Sequence, residues 1–130
     1  MKNNTAETGS KGEEYAAAYL RKRRYRILGR NFRTKYGEID IIAAKGSYTV
    51  FVEVKTRHEN SLTMPFEAVD LRKQRRIINT AAIYCKEKGL YDKPLRFDVI
   101  EVYVDRQSLK CLSVNHIENA FESKTDYGFL

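Results

Sequence analysis

The stretch from Gly37 to Arg57 constrains this chain more than any other part of it. Two strand-length runs, Gly37–Ala44 and Tyr48–Arg57, are rich in isoleucine and valine and are separated by Lys45-Gly46, a hairpin-type break. Successive strand residues point to opposite faces, so Val50, Val52 and Val54 form one apolar row while Glu53 and Lys55 share the other face. Glu38 and Asp40 share a face of the preceding run in the same way. An apolar row of this kind must be covered, so the rest of the chain is read for elements that can cover it.

Helical periodicity brackets the hairpin. Ser10-Lys11-Gly12-Glu13 reads as a capping box opening a helix from about Lys11 to Arg23, with Ala16, Ala17 and Leu20 following Glu13 at helical spacing. Arg21 to Arg24 put positive charge at the negative end of that helix dipole, a structural reason for those residues that is independent of function. A strand is expected over Tyr25–Phe32 and a loop over Leu62–Pro65. A second helix runs from about Pro65 or Asp70 to Lys88, buries Ile77, Ile78, Ala81, Ala82 and Cys85, and stops at Gly89. Leu95–Val104 and Lys110–His116 are the remaining strands. The order is αβββαββ, an α/β domain with a mixed central sheet flanked by helices. At 130 residues the chain suits a single domain, expected over 10–118 between a flexible 1–9 and a tail over 119–130.

Several chemistries are excluded by what the chain lacks. No apolar run approaches the roughly 20 residues of a membrane span and the N-terminus has no apolar signal segment, so a cytoplasmic location is expected. Cys85 and Cys111 form no CxxC pair and are read as reduced core thiols, and His58 and His116 alone cannot build a multi-histidine zinc site. There is no glycine-rich phosphate loop and no GxSxG elbow. Any catalysis must run on carboxylates and lysine.

The net charge of +7 is segmental. Lys11–Tyr36 carries nine basic residues against Glu13 and Glu14, and Leu71–Gly89 carries six against Glu87, whereas Asp98–Leu130 is net acidic. Basic runs beside an acidic remainder suggest a polyanion-binding face, and nucleic acid is the expected partner, DNA before RNA. Solvated helix surfaces are the alternative explanation of each run.

If the hairpin loop is Lys45-Gly46, Ala44 pairs with Ser47, Glu38 faces Glu53, and Asp40 faces Phe51 with Glu53 on its diagonal. Three carboxylates and the Lys55 ammonium then crowd one patch, and the repulsion calls for compensation. A divalent cation, magnesium or manganese, held by Asp40 and Glu53 would supply it, because carboxylate oxygens are the ligands these hard ions prefer. Such an ion can polarise a phosphodiester and activate water while Lys55 orients that water or balances developing charge. An exposed hairpin face with Lys55 salt-bridged to the acids is the plainer alternative.

The ordered series Gly12-Glu13, Gly37-Glu38-Ile39-Asp40-Ile41-Ile42-Ala43, Phe51-Val52-Glu53-Val54-Lys55-Thr56-Arg57, Glu67-Ala68-Val69-Asp70, Arg72-Lys73-Gln74-Arg75-Arg76 and Arg96-Phe97-Asp98-Val99 resembles the uncharacterised YraN-like family over roughly residues 9–118. The resemblance implies a restriction-endonuclease-like fold of the PD-(D/E)xK superfamily, related to Holliday junction resolvases and tRNA endonuclease-like domains. It implies that Asp40 is the motif aspartate, Glu53 and Lys55 the ExK pair, and Glu13 a helix-borne acid that reaches the metal. Ile39, where the motif has proline, is the visible departure. The implied activity is a magnesium-dependent endonuclease, with Arg57, Arg72, Lys73, Gln74 and Arg76 as nucleic-acid contacts.

Each assignment has a structural counterpart. Glu13 can serve only its capping box, Glu38 can pair with Arg33 or Lys35, Asp98 can anchor a basic residue, and Arg57 can sit in a loop. Two other function classes stay open: a nucleic-acid-binding module without turnover, and an RNA-processing nuclease. One domain of this size cuts one strand per site, so symmetric or branched DNA would require a homodimer.

Overall fold

The computed structural model describes residues 5–58, 69–90, 92–125 and 128–129. Helix α1 (Thr5–Lys22) leads into strands β1 (Arg26–Thr34), β2 (Gly37–Lys45) and β3 (Tyr48–His58). Helix α2 (Leu71–Lys88), β4 (Leu95–Val104) and β5 (Cys111–Phe121) follow, and β6 (Lys124–Thr125) pairs with β7 (Gly128–Phe129) as a small separate ribbon. The main sheet has the order β1-β2-β3-β4-β5, antiparallel except for the parallel pair β3 and β4. Parallel neighbours need a crossover connection, and α2 lies in it.

Strand alternation decides the layering. On one face Ala16, Ala17 and Leu20 of α1 pack on Ile41, Ala43, Val50, Val52, Ile100 and Val102. On the other, Ile77, Ile78, Ala81 and Tyr84 of α2 cover Ile42, Phe51, Phe97 and Val99. Each leucine, isoleucine, valine or phenylalanine so taken from water contributes about 1.5–3 kcal/mol to holding the layers together. Helices on both faces of a mixed sheet make the arrangement that the element order predicts, a three-layer domain consistent with the restriction-endonuclease-like fold that the resemblance implies.

The structure corrects the expected details. Lys45 pairs with Tyr48 and Ala44 with Thr49, so the loop is Gly46-Ser47 and the hairpin register is two residues from the expected one. Gly46 takes φ 59 at the first loop position, a left-handed conformation that glycine adopts without strain, which is why the loop forms there. An even shift preserves the faces. It moves Glu38 away from Glu53 and brings Asp40 toward it.

Helix α1 begins at Thr5, so Ser10 lies within it and the expected capping box is absent; residues 5–9 extend the helix in place of a frayed terminus. Asp70 caps α2, so the helix opens at Leu71, at the second of its two expected starts. Thr80 and Tyr84 join its buried face, while Ala82 is only half-buried. Strand β5 runs through Phe121, past the expected end at His116 and the expected domain boundary at 118. Cys85 is buried, but Cys111 is exposed on β5 rather than in the core, and both thiols are free. The loop expected over 62–65 lies outside the described residues. Among the described residues no helix is long and apolar enough to cross a membrane.

The outer strand β1 is exposed at Arg26, Arg30 and Arg33, and its register with β2 slips between Ile27 and Gly29.

Candidate active site

The β2–β3 ladder ends at the pair Ile41–Val52. Just beyond it the Val54 amide donates to Asp40 Oδ2 at 2.8 Å, so a side chain takes a hydrogen bond that lies past the end of the ladder. Asp40 and Glu53 line one wall of a cavity of about 380 Å³ together with Gly37 and Glu38. The opposite wall is the start of α2: Asp70, Arg72, Lys73, Arg76 and Ile77. The Asp70 side chain accepts from the Lys73 amide at 2.8 Å, which fixes the first turn and sets the Lys73 side chain over the acids. Lys73 Nζ reaches Glu53 Oε2 at 2.7 Å.

Two more acids approach from α1 and the beginning of β2. Helix α1 comes so close to β3 that a Cβ on Gly12 would lie 1.8 Å from Thr56 Oγ1, a contact only glycine permits, and this approach brings Glu13 beside the sheet. Glu13 Oε1 is 3.7 Å from the Arg30 guanidinium, and Glu38 Oε2 accepts from Arg33 Nε at 3.1 Å. With its amide nitrogen turned toward the acids, Asn31 donates to both Glu13 Oε1 at 3.2 Å and Glu38 Oε2 at 3.1 Å. Asn31 itself has φ 54, a left-handed conformation that asparagine tolerates better than most residues.

This grouping perturbs the acid at its centre. Burial, and then the Glu53 charge, push the Asp40 pKa up to about 7; Glu13 and Glu38 add to the shift and the Val54 hydrogen bond opposes it. Burial works against the charge on Lys73, yet its hydrogen bond to Glu53 and the fields of Glu53, Asp40 and Asp70 carry its pKa above the usual lysine value.

The remaining candidates divide clearly. Arg72 and Arg76 line the cavity. Gln74 Nε2 donates to the Val69 carbonyl at 2.7 Å and so secures the entry to α2. Lys55 alternates onto the strand face of Glu53, half-buried, and makes no ion pair or hydrogen bond among the described residues. The cation that meets Glu53 thus comes from α2 and not from the strand. Arg57 Nε is 3.3 Å from Glu101 Oε2, and Asn115 Nδ2 donates to Glu101 Oε1 at 2.8 Å, so Arg57 neutralises a fully buried acid.

Asp98 is also buried, not on a polar strand face as the alternation suggested, because α1 covers that side of β4. It accepts from Arg96 Nε at 3.0 Å and the Asn119 amide at 3.0 Å, and lies 2.7 Å from His116 Nε2. Burial alone would raise its pKa, but the His116, Arg96 and Asn119 hydrogen bonds hold it below the ordinary carboxylate value. Asp98 anchors basic groups, as its alternative reading anticipated.

Chemically, Asp40 and Glu53 suit magnesium or manganese: both offer hard carboxylate oxygens and both line the same cavity. No group of three or more acid, histidine or cysteine side chains placed to hold a metal occurs among the described residues. Two carboxylates completed by carbonyl oxygen and water are what magnesium commonly accepts. Sequence reasoning missed Arg30 and Asn31 as partners of the acids, since neither sits in a recognisable motif.

Comparison with known proteins places these residues in a family. The model of the uncharacterised protein family UPF0102 matches residues 12–102, which span Glu13, Asp40, Glu53 and Lys73. A UPF0102 protein of Caldanaerobacter subterraneus subsp. tengcongensis is 47% identical over 120 residues, covering 92% of this chain and 98% of that protein. One from Alkaliphilus metalliredigens is 46% identical over 113 residues, covering 87% of this chain and 96% of its own length. Another from Geobacter sulfurreducens is 46% identical over 114 residues, 88% of each chain. With its family model matched from α1 into β4 and its relatives similar over nearly their full length, this chain belongs to the UPF0102 family.

Proposed function

We propose that the protein is a metal-dependent endonuclease that binds nucleic acid along the basic side of its cavity and hydrolyses a phosphodiester beside Asp40 and Glu53. The observation that carries this reading is the two-walled cavity, with Glu38, Asp40 and Glu53 on one side and Arg72, Lys73 and Arg76 on the other. A phosphodiester carries negative charge, so it is drawn to the helix wall, and a divalent ion is drawn to the strand wall. Magnesium or manganese bound by Asp40 and Glu53 would supply Lewis-acid polarisation and an activated water.

The chain's own groups do the rest. Asp40 and Glu53 must both be ionised to hold the ion, and the charge of a bound ion would itself favour that form. Arg72 and Arg76 present guanidinium forks suited to phosphate oxygens. Lys55, on the Glu53 face, would orient the attacking water or balance charge as it develops at phosphorus.

The test is cleavage of duplex DNA, branched DNA and RNA in magnesium by wild type and Lys55→Ala. An endonuclease loses about 100-fold or more of its rate in the variant while retaining affinity. Binding with no cleavage of any substrate by wild type would reassign the protein as a binding module, and cleavage of RNA alone as an RNA-processing nuclease.

A further inference from the structure

Lys73 is an unusual partner for Glu53. It arrives from the opposite wall of the cavity, its side chain is 48% exposed while that of Glu53 is 10% exposed, and the pair is nonetheless closed to 2.7 Å. A half-exposed ammonium on a flexible stem makes a contact that solvent and other cations can contest. Asp40, the other acid on that wall, lines the same cavity as this pair. Lys73 therefore occupies a position next to two carboxylates where a doubly charged ion would satisfy both.

We propose that Lys73 is a resident counter-cation that competes with the divalent ion for Glu53, and that ion binding releases its ammonium into the cavity to meet the phosphate of the substrate. This inference rests on the metal-dependent reading of the site. A divalent ion on Glu53 would share its carboxylate with the Lys73 ammonium, and the two positive charges repel at that distance. Release is structurally cheap, because the Lys73 side chain is half exposed and its backbone stays capped by Asp70. The freed ammonium would join Arg72 and Arg76, which line the same helix wall. Ion and phosphate would then bind with positive coupling, each favouring the arrangement the other needs.

Manganese binding measured by titration calorimetry at pH 8, without nucleic acid, tests this in wild type, Lys73→Met, Lys73→Arg and Asp40→Asn. Removing the competitor should tighten manganese binding by roughly 5- to 50-fold in Lys73→Met, within the usual range of coupling between sites. Lys73→Arg, which keeps the charge, should remain near wild type, and Asp40→Asn should lose binding. Lys73→Gln repeats the neutral substitution with a polar side chain should the methionine variant fail to fold. Equal or weaker manganese binding in the neutral variants, with Asp40→Asn still deficient, would overturn the competition while leaving the metal site standing. Absence of manganese binding in wild type and every variant would remove the metal site, and this inference with it.

Discussion

Asp40 accepts a hydrogen bond from the backbone amide of Val54 at 2.8 Å, two residues beyond the last ladder pair on β3. The carboxylate is thereby fixed beside Glu53 with one oxygen committed to the fold and the other left for chemistry. Its pKa is raised to about 7 by burial first and by Glu53 next, so the folded protein binds this proton more tightly than the unfolded chain does. Stability therefore falls as pH rises from about 4 to about 7, and the deficit persists above that range. Asp40→Asn retains an acceptor for Val54 and removes the charge. The variant should be more stable than wild type by about 1–3 kcal/mol at pH 8, with the gain shrinking toward pH 4. Urea melts at both pH values check this, and a variant less stable at pH 8 would contradict it.

Gly12 sets how closely α1 approaches β3. A methyl group there meets Thr56 Oγ1 at 1.8 Å and Thr56 Cβ at 2.9 Å, so Gly12→Ala should cost about 1–3 kcal/mol. Adding Thr56→Gly should recover part of the loss. If the double variant is no more stable than the sum of its single substitutions predicts, Thr56 is not the obstacle.

Asp98 is a buried anion whose partners Arg96 and His116 are themselves largely buried. Asp98→Asn leaves the Arg96 charge with only the exposed Glu118 carboxylate, 3.6 Å away, and should cost about 3–5 kcal/mol at neutral pH. The folded-state pKa of Asp98 is depressed, so its contribution is present above the ordinary carboxylate range and is lost as pH falls through the lower folded value. Stability curves of wild type and variant should run parallel from pH 7 to about pH 5 and converge only in stronger acid. Convergence near neutrality would mean the anion is not what the network requires.

Nucleic-acid binding through the helix wall should show a steep salt response, since each phosphate neutralised on duplex DNA contributes about −0.9 to the log–log slope. Replacing Arg72 and Arg76 together by alanine should flatten that slope by about 1–2 and weaken all sequences alike. Fluorescence anisotropy at several salt concentrations measures both effects. An unchanged slope would place the binding face elsewhere.

Much of this site was legible because strand alternation is robust. Glu53 and Lys55 share a face, as do Glu38 and Asp40, whatever the pairing register, and an error of two residues left every face correct. The register itself was not legible, because Lys45-Gly46 and Gly46-Ser47 are equally plausible loops until the tertiary structure selects one. Lys73 stood out as part of a basic run, but its meeting with Glu53 depends on a crossover helix whose angle no local pattern encodes. Arg57 illustrates the reverse: beside an ExK motif it looked exposed to substrate, yet a buried glutamate more than 40 positions away on β4 claims it. The Ser10 capping box failed because the helix continued past it, a reminder that a cap signal marks a permissible start rather than an obligatory one.

The outer strand β1 also limits how copies of this protein can meet. A neighbour trying to continue the sheet there would meet bulky exposed side chains at Arg26, Arg30 and Arg33, the last two already engaged by Glu13 and Glu38, and a strand whose register slips near Leu28. Self-association by sheet extension at that margin is disfavoured, which keeps the acid-bearing side of the domain clear and leaves any two-fold partner to be met through other surfaces.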